Sequence, residues 1–240
     1  MNASSQELVW RIESRADELA RRSVQAACTG PFWDERFGER GRRYIDEDAG
    51  HHIDQLLTAL KAGHPSVFAR YARWLQSVLT HRGMCTRHIE EHLQALADAI
   101  DDVGIVDAGR PRAYVEAGIH ALLYGAAPAR TVQDRADGLA ANIEVRTTRL
   151  ERLLPPQRVR RDASFLLSYL SDALALESPQ VFVDYAVWIA PFHARHGASS
   201  RYLASMLAAL DEALRTLPDS DRVQALEPVA SAMRAVLQLQ

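Results

Sequence analysis

The sequence predicts an all-α protein made by tandem duplication of a five-helix up-down bundle, and three observations carry that reading. Pro65–Gly83, PSVFARYARWLQSVLTHRG, returns later as Pro179–Gly197, PQVFVDYAVWIAPFHARHG, with no gap between the two copies. An offset of 114 residues takes Pro65, Val67, Phe68, Tyr71, Ala72, Trp74 and Gly83 to Pro179, Val181, Phe182, Tyr185, Ala186, Trp188 and Gly197. Apolar residues recur at spacings of three and four along most of the chain, strand-like alternation is absent, and Pro and Gly fall where helices should start and stop.

The first helix is expected from Ser4 to about Ala27, because Leu8, Ile12, Leu19 and Val24 share a face and Thr29-Gly30-Pro31 ends it. Phe32, Trp33 and Phe37 then fall in a short polar segment expected to lie over the core as a lid. A second helix runs from about Arg42 to Ala62 with Ile45, Ala49, His52, Ile53, Leu56, Leu57 and Leu60 in one stripe. Pro65 opens the third, since proline has no amide proton to leave unsatisfied in a first turn. Its Phe68, Tyr71 and Trp74, with Phe182, Tyr185 and Trp188 in the second copy, are expected to be core aromatics, where large rings contribute most buried area. The fourth helix follows Gly83 and carries Ile89, His92, Leu93, Leu96 and Ile100, and the fifth spans about Pro111 to Tyr124.

The second half repeats the plan. Asp162, Ala163, Leu170 and Leu174 answer Asp48, Ala49, Leu56 and Leu60, and Arg201, Leu207 and Leu210 answer Arg87, Leu93 and Leu96. Two units are expected, residues 1–125 holding most histidines and residues 126–240 as a degenerate copy, with short loops joining antiparallel neighbours.

Composition excludes several classes. Net charge is −3 with a pI near 6.3, and the basic clusters Arg36–Arg43 and Arg158–Arg161 are short and interrupted, so neither nucleic acid nor an anionic membrane is an expected partner. Two cysteines, Cys28 and Cys85, give no disulfide framework and no zinc spacing. The N-terminus lacks a signal-peptide core and no run approaches the ~18 apolar residues of a membrane span, so a cytoplasmic location is expected. GxSxG, P-loop and GxGxxG signatures are absent.

The duplication also acts as an internal control, because a position polar in one copy and apolar in the other is expected to be buried in both. At the common offset His51 faces Phe165, His52 faces Leu166, His88 faces Tyr202 and His92 faces Met206, whereas His64 and His81 face Ser178 and Arg195 and belong in solvent. Asp48 with His52, and His88 with His92, are i, i+4 pairs that share a helix face. Asp48, His51, His52, His88 and His92 therefore form the candidate site, suited to zinc, iron or another divalent ion. The alternatives are a small-molecule pocket without metal and histidines satisfied by packing partners, the latter supported by Asp162 standing opposite Asp48. His88-Ile89-Glu90-Glu91-His92 also matches the HxxEH pattern of some zinc peptidases, which need a further distant acidic ligand.

The pattern D-x-x-x-H-x-x-x-L followed by F-x-x-Y-x-x-W and R-G, over Asp48–Leu96 and again in weakened form over Asp162–Leu210, resembles helical modules of bacterial sensory and regulatory proteins, some of which adjoin cobalamin-binding domains. The chain has no D-x-H-x-x-G segment to supply a lower cobalamin ligand, so the resemblance implies a regulatory module rather than a cobalamin site. The expected function is thus a non-enzymatic regulatory or sensory module binding a small ligand or a protein partner. The alternatives are a metal-dependent enzyme built on the first-half histidines and a purely structural interaction protein. Duplicated bundles also offer faces for a homodimer, with Phe32-Trp33 a candidate contact.

Overall fold

The computed structural model describes residues 3–150 and 154–239, with side chains described from Gln6 onward. It is all-α: twelve helices and no strand occur among the described residues. Two compact units divide the chain, residues 1–81 with 88–122, and residues 82–87 with 123–240.

In the first unit α1 (Ala3–Glu13) and α2 (Ala16–Ala27) replace the single first helix expected. Ser14 Oγ donates to the Arg11 carbonyl (3.0 Å) and Arg15 Nη1 donates to the Val103 carbonyl (2.6 Å). The serine competes with the backbone ladder there, which is how such residues end helices. The expected lid is also helical, since Phe32, Trp33 and Phe37 form the opening turns of α3 (Phe32–Ala62). A bend at Gly38, with φ 64 and ψ −170, lets those turns fold onto the helix that follows, a backbone state open mainly to glycine. Gly63 closes α3 in the left-handed conformation, its N–H donating to the carbonyls of Ala59 and Leu60.

Pro65 occupies the first turn of α4 (Pro65–Thr80), and Phe68, Ala72 and Leu75 make its buried stripe. Trp74 is 58% exposed, against the expectation of a core residue. The reason is geometric: Phe68, Ala72 and Leu75 follow the i, i+4, i+7 line, and Trp74 stands off it. Tyr71 is half-buried and stacks on Trp74 at the edge of the stripe (6.0 Å between ring centroids). Gln76, buried, donates to the Leu122 carbonyl (2.8 Å) and ties the end of α6 (Gly109–Ala121) to α4. The helix α5 (Thr86–Asp102) supplies Ile89, Leu93, Leu96 and Ile100 to a core shared with Ile12, Leu19, Ile53, Leu56 and Phe68. Each of these buried side chains contributes about 1.5–3 kcal/mol relative to exposure.

The second unit contains the short α7 (Ala129–Asp134), then α8 (Ala136–Leu150), α9 (Pro156–Ala175), α10 (Pro179–Arg195), α11 (Tyr202–Leu214) and α12 (Asp219–Leu237). Phe182, Tyr185, Ala186 and Ile189 fill its core from α10, while Trp188 is only half-buried. As at Trp74, the tryptophan lies off the Phe182–Ala186–Ile189 line. Each unit thus draws on six helices rather than five, because helix 1 is broken in the first and α7 is added in the second. No helix of the described residues is long and apolar enough to cross a membrane.

Candidate functional site

Within the first unit α3 and α5 bring two of the five candidate residues into ring contact. His52, on the buried stripe of α3, and His92, on α5, lie edge to face with ring centroids 4.9 Å apart. Both are buried. His52 Nδ1 is 2.6 Å from the Tyr71 hydroxyl, contributed by α4. Burial holds His52 well below the ordinary histidine range, with the imidazoles of His92 and His51 adding to the effect. Burial likewise pushes Tyr71 up, helped by the charges of Asp48 and Asp54. With both groups uncharged, the phenol donates to Nδ1 in one imidazole tautomer and accepts from Nδ1–H in the other.

His92 completes the cluster and is its least satisfied member. Its Nε2 is buried and has no hydrogen-bond partner among the described residues. Burial lowers its pKa to about 4, so at neutral pH the ring is uncharged.

The other three candidates do not join this contact. His51, one residue from His52, points to solvent. His88 is buried, but its ring stacks on Phe32 (5.1 Å) and meets the edge of Trp33 (5.1 Å), inside the turns once expected to be a lid. Trp33 is itself buried and so presents no outward apolar face. Asp48 is half-buried and close enough for its charge to act on Tyr71. No group of three or more His, Cys, Asp or Glu side chains placed to hold a metal ion occurs among the described residues. The five-residue convergence therefore contracts to His52, Tyr71 and His92, with Tyr71 the member first read as core.

Two polar clusters in the second unit were not foreseen. Asp172, on α9, is fully buried and accepts three hydrogen bonds: from the Thr86 N–H (2.8 Å), the Thr86 hydroxyl (2.6 Å) and the Tyr124 hydroxyl (2.7 Å). Burial outweighs these donors and raises its pKa to about 6. Asp162, also on α9, accepts from the Tyr202 hydroxyl (2.8 Å) and lies 3.8 Å from both Arg158 Nε and His193 Nδ1. Burial raises Asp162 to about 6 and lowers His193 to about 3. His193 Nδ1 is buried without a hydrogen-bond partner among the described residues. The sequence held no signal for Asp172, because its counterpart at the common offset, Thr58, is polar as well.

No known protein family, curated protein or solved structure matches the chain.

Proposed function

We propose that the chain is a non-enzymatic regulatory or sensory module whose responsive site is the His52–Tyr71–His92 cluster, taking a small ligand that supplies the hydrogen bond His92 Nε2 lacks. The carrying observation is that orphaned, buried nitrogen. Leaving such a group unpaired costs about 1–3 kcal/mol. The fold does not require the two histidines, since Leu166 and Met206 stand at the equivalent positions of the second repeat and are buried there. An arrangement that costs stability in one repeat and is dispensed with in the other is reasonably assigned to binding.

The test is elemental analysis and an absorption spectrum of the purified protein, followed by thermal melts against a panel of divalent ions and small hydrogen-bonding ligands. The variant His52→Leu with His92→Met copies the second repeat. It is expected to unfold about 1–3 kcal/mol later than the parent, and to lose every ligand-induced shift that the parent shows. A stoichiometric metal lost in the variant would move the reading to a metal-binding bundle with His52 and His92 as its imidazole ligands. A variant much less stable than the parent would show that the histidines are structural and end the ligand-site reading.

A further inference from the structure

Within the first unit the opening turns of α3, Phe32–Phe37, are folded back onto the helix they begin. Gly38 holds φ 64 with ψ −170, a state an L side chain reaches only under strain, although a Cβ there would meet nothing within 4 Å. A Cβ added at Gly41 would collide with the Cβ of Phe37. Arg42 Nε donates to Asp34 Oδ1 (2.9 Å), a pair that the bend brings together. On a straight helix residues eight apart stand about 12 Å apart along the axis.

The folded turns rest on the seam between α3 and α5. Phe32 and Trp33 each hold the His88 ring at 5.1 Å. His88 lies one turn before His92 on α5, as Asp48 lies one turn before His52 on α3, and each pair shares a face. The second repeat shows that the first members of these pairs stand at one level, because their equivalents Tyr202 and Asp162 are hydrogen-bonded (2.8 Å). The rings of Phe32 and Trp33 therefore lie one layer above the His52–His92 contact. The second repeat lacks this cover, as it lacks the histidines. There α2 and α8 correspond at an offset of 120 residues but α3 and α9 at 114, so the second connection is six residues shorter, and α9 starts at Pro156, the equivalent of Arg42.

Taking the His52–Tyr71–His92 cluster as the ligand site, we propose that Phe32–Phe37 is a lid hinged at Gly38, which covers that site when folded back and opens by straightening into α3 to admit a ligand to His92. Closed, it is held by the ring contacts with His88 and by the Asp34–Arg42 pair. Alanine at either glycine disfavours the closed form, by backbone strain at position 38 and by collision at position 41. It also favours the straight helix, in which side chains four apart no longer collide.

Diethyl pyrocarbonate, which modifies accessible neutral imidazoles, tests this at neutral pH, with each histidine read separately by mass spectrometry. In the parent the buried His88 and His92 are expected to react at least about 100-fold more slowly than the exposed His51. Gly38→Ala and Gly41→Ala should each raise both rates about 10-fold or more, while His193, buried in the second unit, keeps its parent rate. Leu56→Ala weakens the same core without touching the bend and so separates lid opening from unfolding. Despite a larger loss of thermal stability, it should speed the two histidines less. A parent in which His92 reacts as fast as His51, glycine variants that leave His92 at its parent rate, or a Leu56→Ala chain that exposes it as much as they do would each overturn the lid. The reagent reads access and not affinity, so these results bear on the lid alone, whereas a parent with no ligand-induced shift bears on the site.

Discussion

At the scale of single residues buried polar groups fall into two kinds, satisfied and orphaned. Asp172 is fully buried and accepts from three donors, whereas His92 is buried with a nitrogen that receives nothing. Removing the polar group therefore has opposite consequences. Asp172→Asn is isosteric, but with its oxygen toward the Thr86 N–H its NH₂ turns the Thr86 and Tyr124 hydroxyls from donors into acceptors and leaves their protons without the carboxylate. The expected cost is about 2–3 kcal/mol, read from urea unfolding, and Thr86→Val should lower stability less because it removes one donor and leaves two. A neutral Asp172→Asn would mean the three contacts contribute nothing net. The histidine cluster was legible in the sequence because His52 and His92 stand opposite Leu166 and Met206, a contrast of polarity at one offset. Asp172 was not, because its counterpart Thr58 is polar as well and its partners Thr86 and Tyr124 lie far away in sequence. Burial separates the two positions, and burial of a polar residue beside another polar residue leaves no periodic trace.

At the scale of helices, starts and stops were read correctly where Pro and Gly mark them, as at Pro65, Gly63, Pro179 and Gly197. Breaks made by polar side chains, such as Ser14 with Arg15, were missed, because a hydroxyl returning to a carbonyl looks in sequence like any exposed serine. The bend at Gly38 was hidden by the charged residues around it. Packing between helices was legible only through the repeat. Gly118 on α6 sits against Phe68 of α4 so closely that an added Cβ would lie 2.6 Å from the phenyl Cδ1. The equivalent pair in the second repeat is Phe182 with Ala232, both fully buried, so that copy already accommodates a methyl group. Gly118→Ala gains helix propensity, about 1 kcal/mol, but must displace a ring that has no free space. A net loss of about 1–3 kcal/mol in a thermal melt is expected, and Phe68→Leu should recover part of it when added, which a double-mutant cycle would read as coupling. Additive effects would show that the two side chains do not compete for the same space.

At the scale of the whole molecule the two units should respond to acid in opposite directions. In the first, burial lowers His92 to about 4 from the ordinary value of about 6.5, and burial lowers His52 in the same sense. The unfolded chain then binds protons that the folded unit refuses, so stability present above about pH 6.5 is lost as pH falls toward 4. For His92 alone this is on the order of 3 kcal/mol. In the second unit His193, lowered to about 3, acts in that same direction. Asp162 and Asp172 act against it, because both are raised to about 6 and the folded unit takes up their protons before the unfolded chain does. Their contribution grows as pH falls from about 6 to 4 and is lost as pH rises through 6. Two carboxyls against one imidazole leave the second unit protected over the range in which the first is weakened. Calorimetry at neutral pH and near pH 5 should therefore show the transition of the first unit moving down and separating from that of the second. His52→Leu with His92→Met should abolish the separation by removing both refusing groups. Transitions that fall in parallel in the parent, or a separation that survives in the variant, would show that acid sensitivity arises outside the buried histidines.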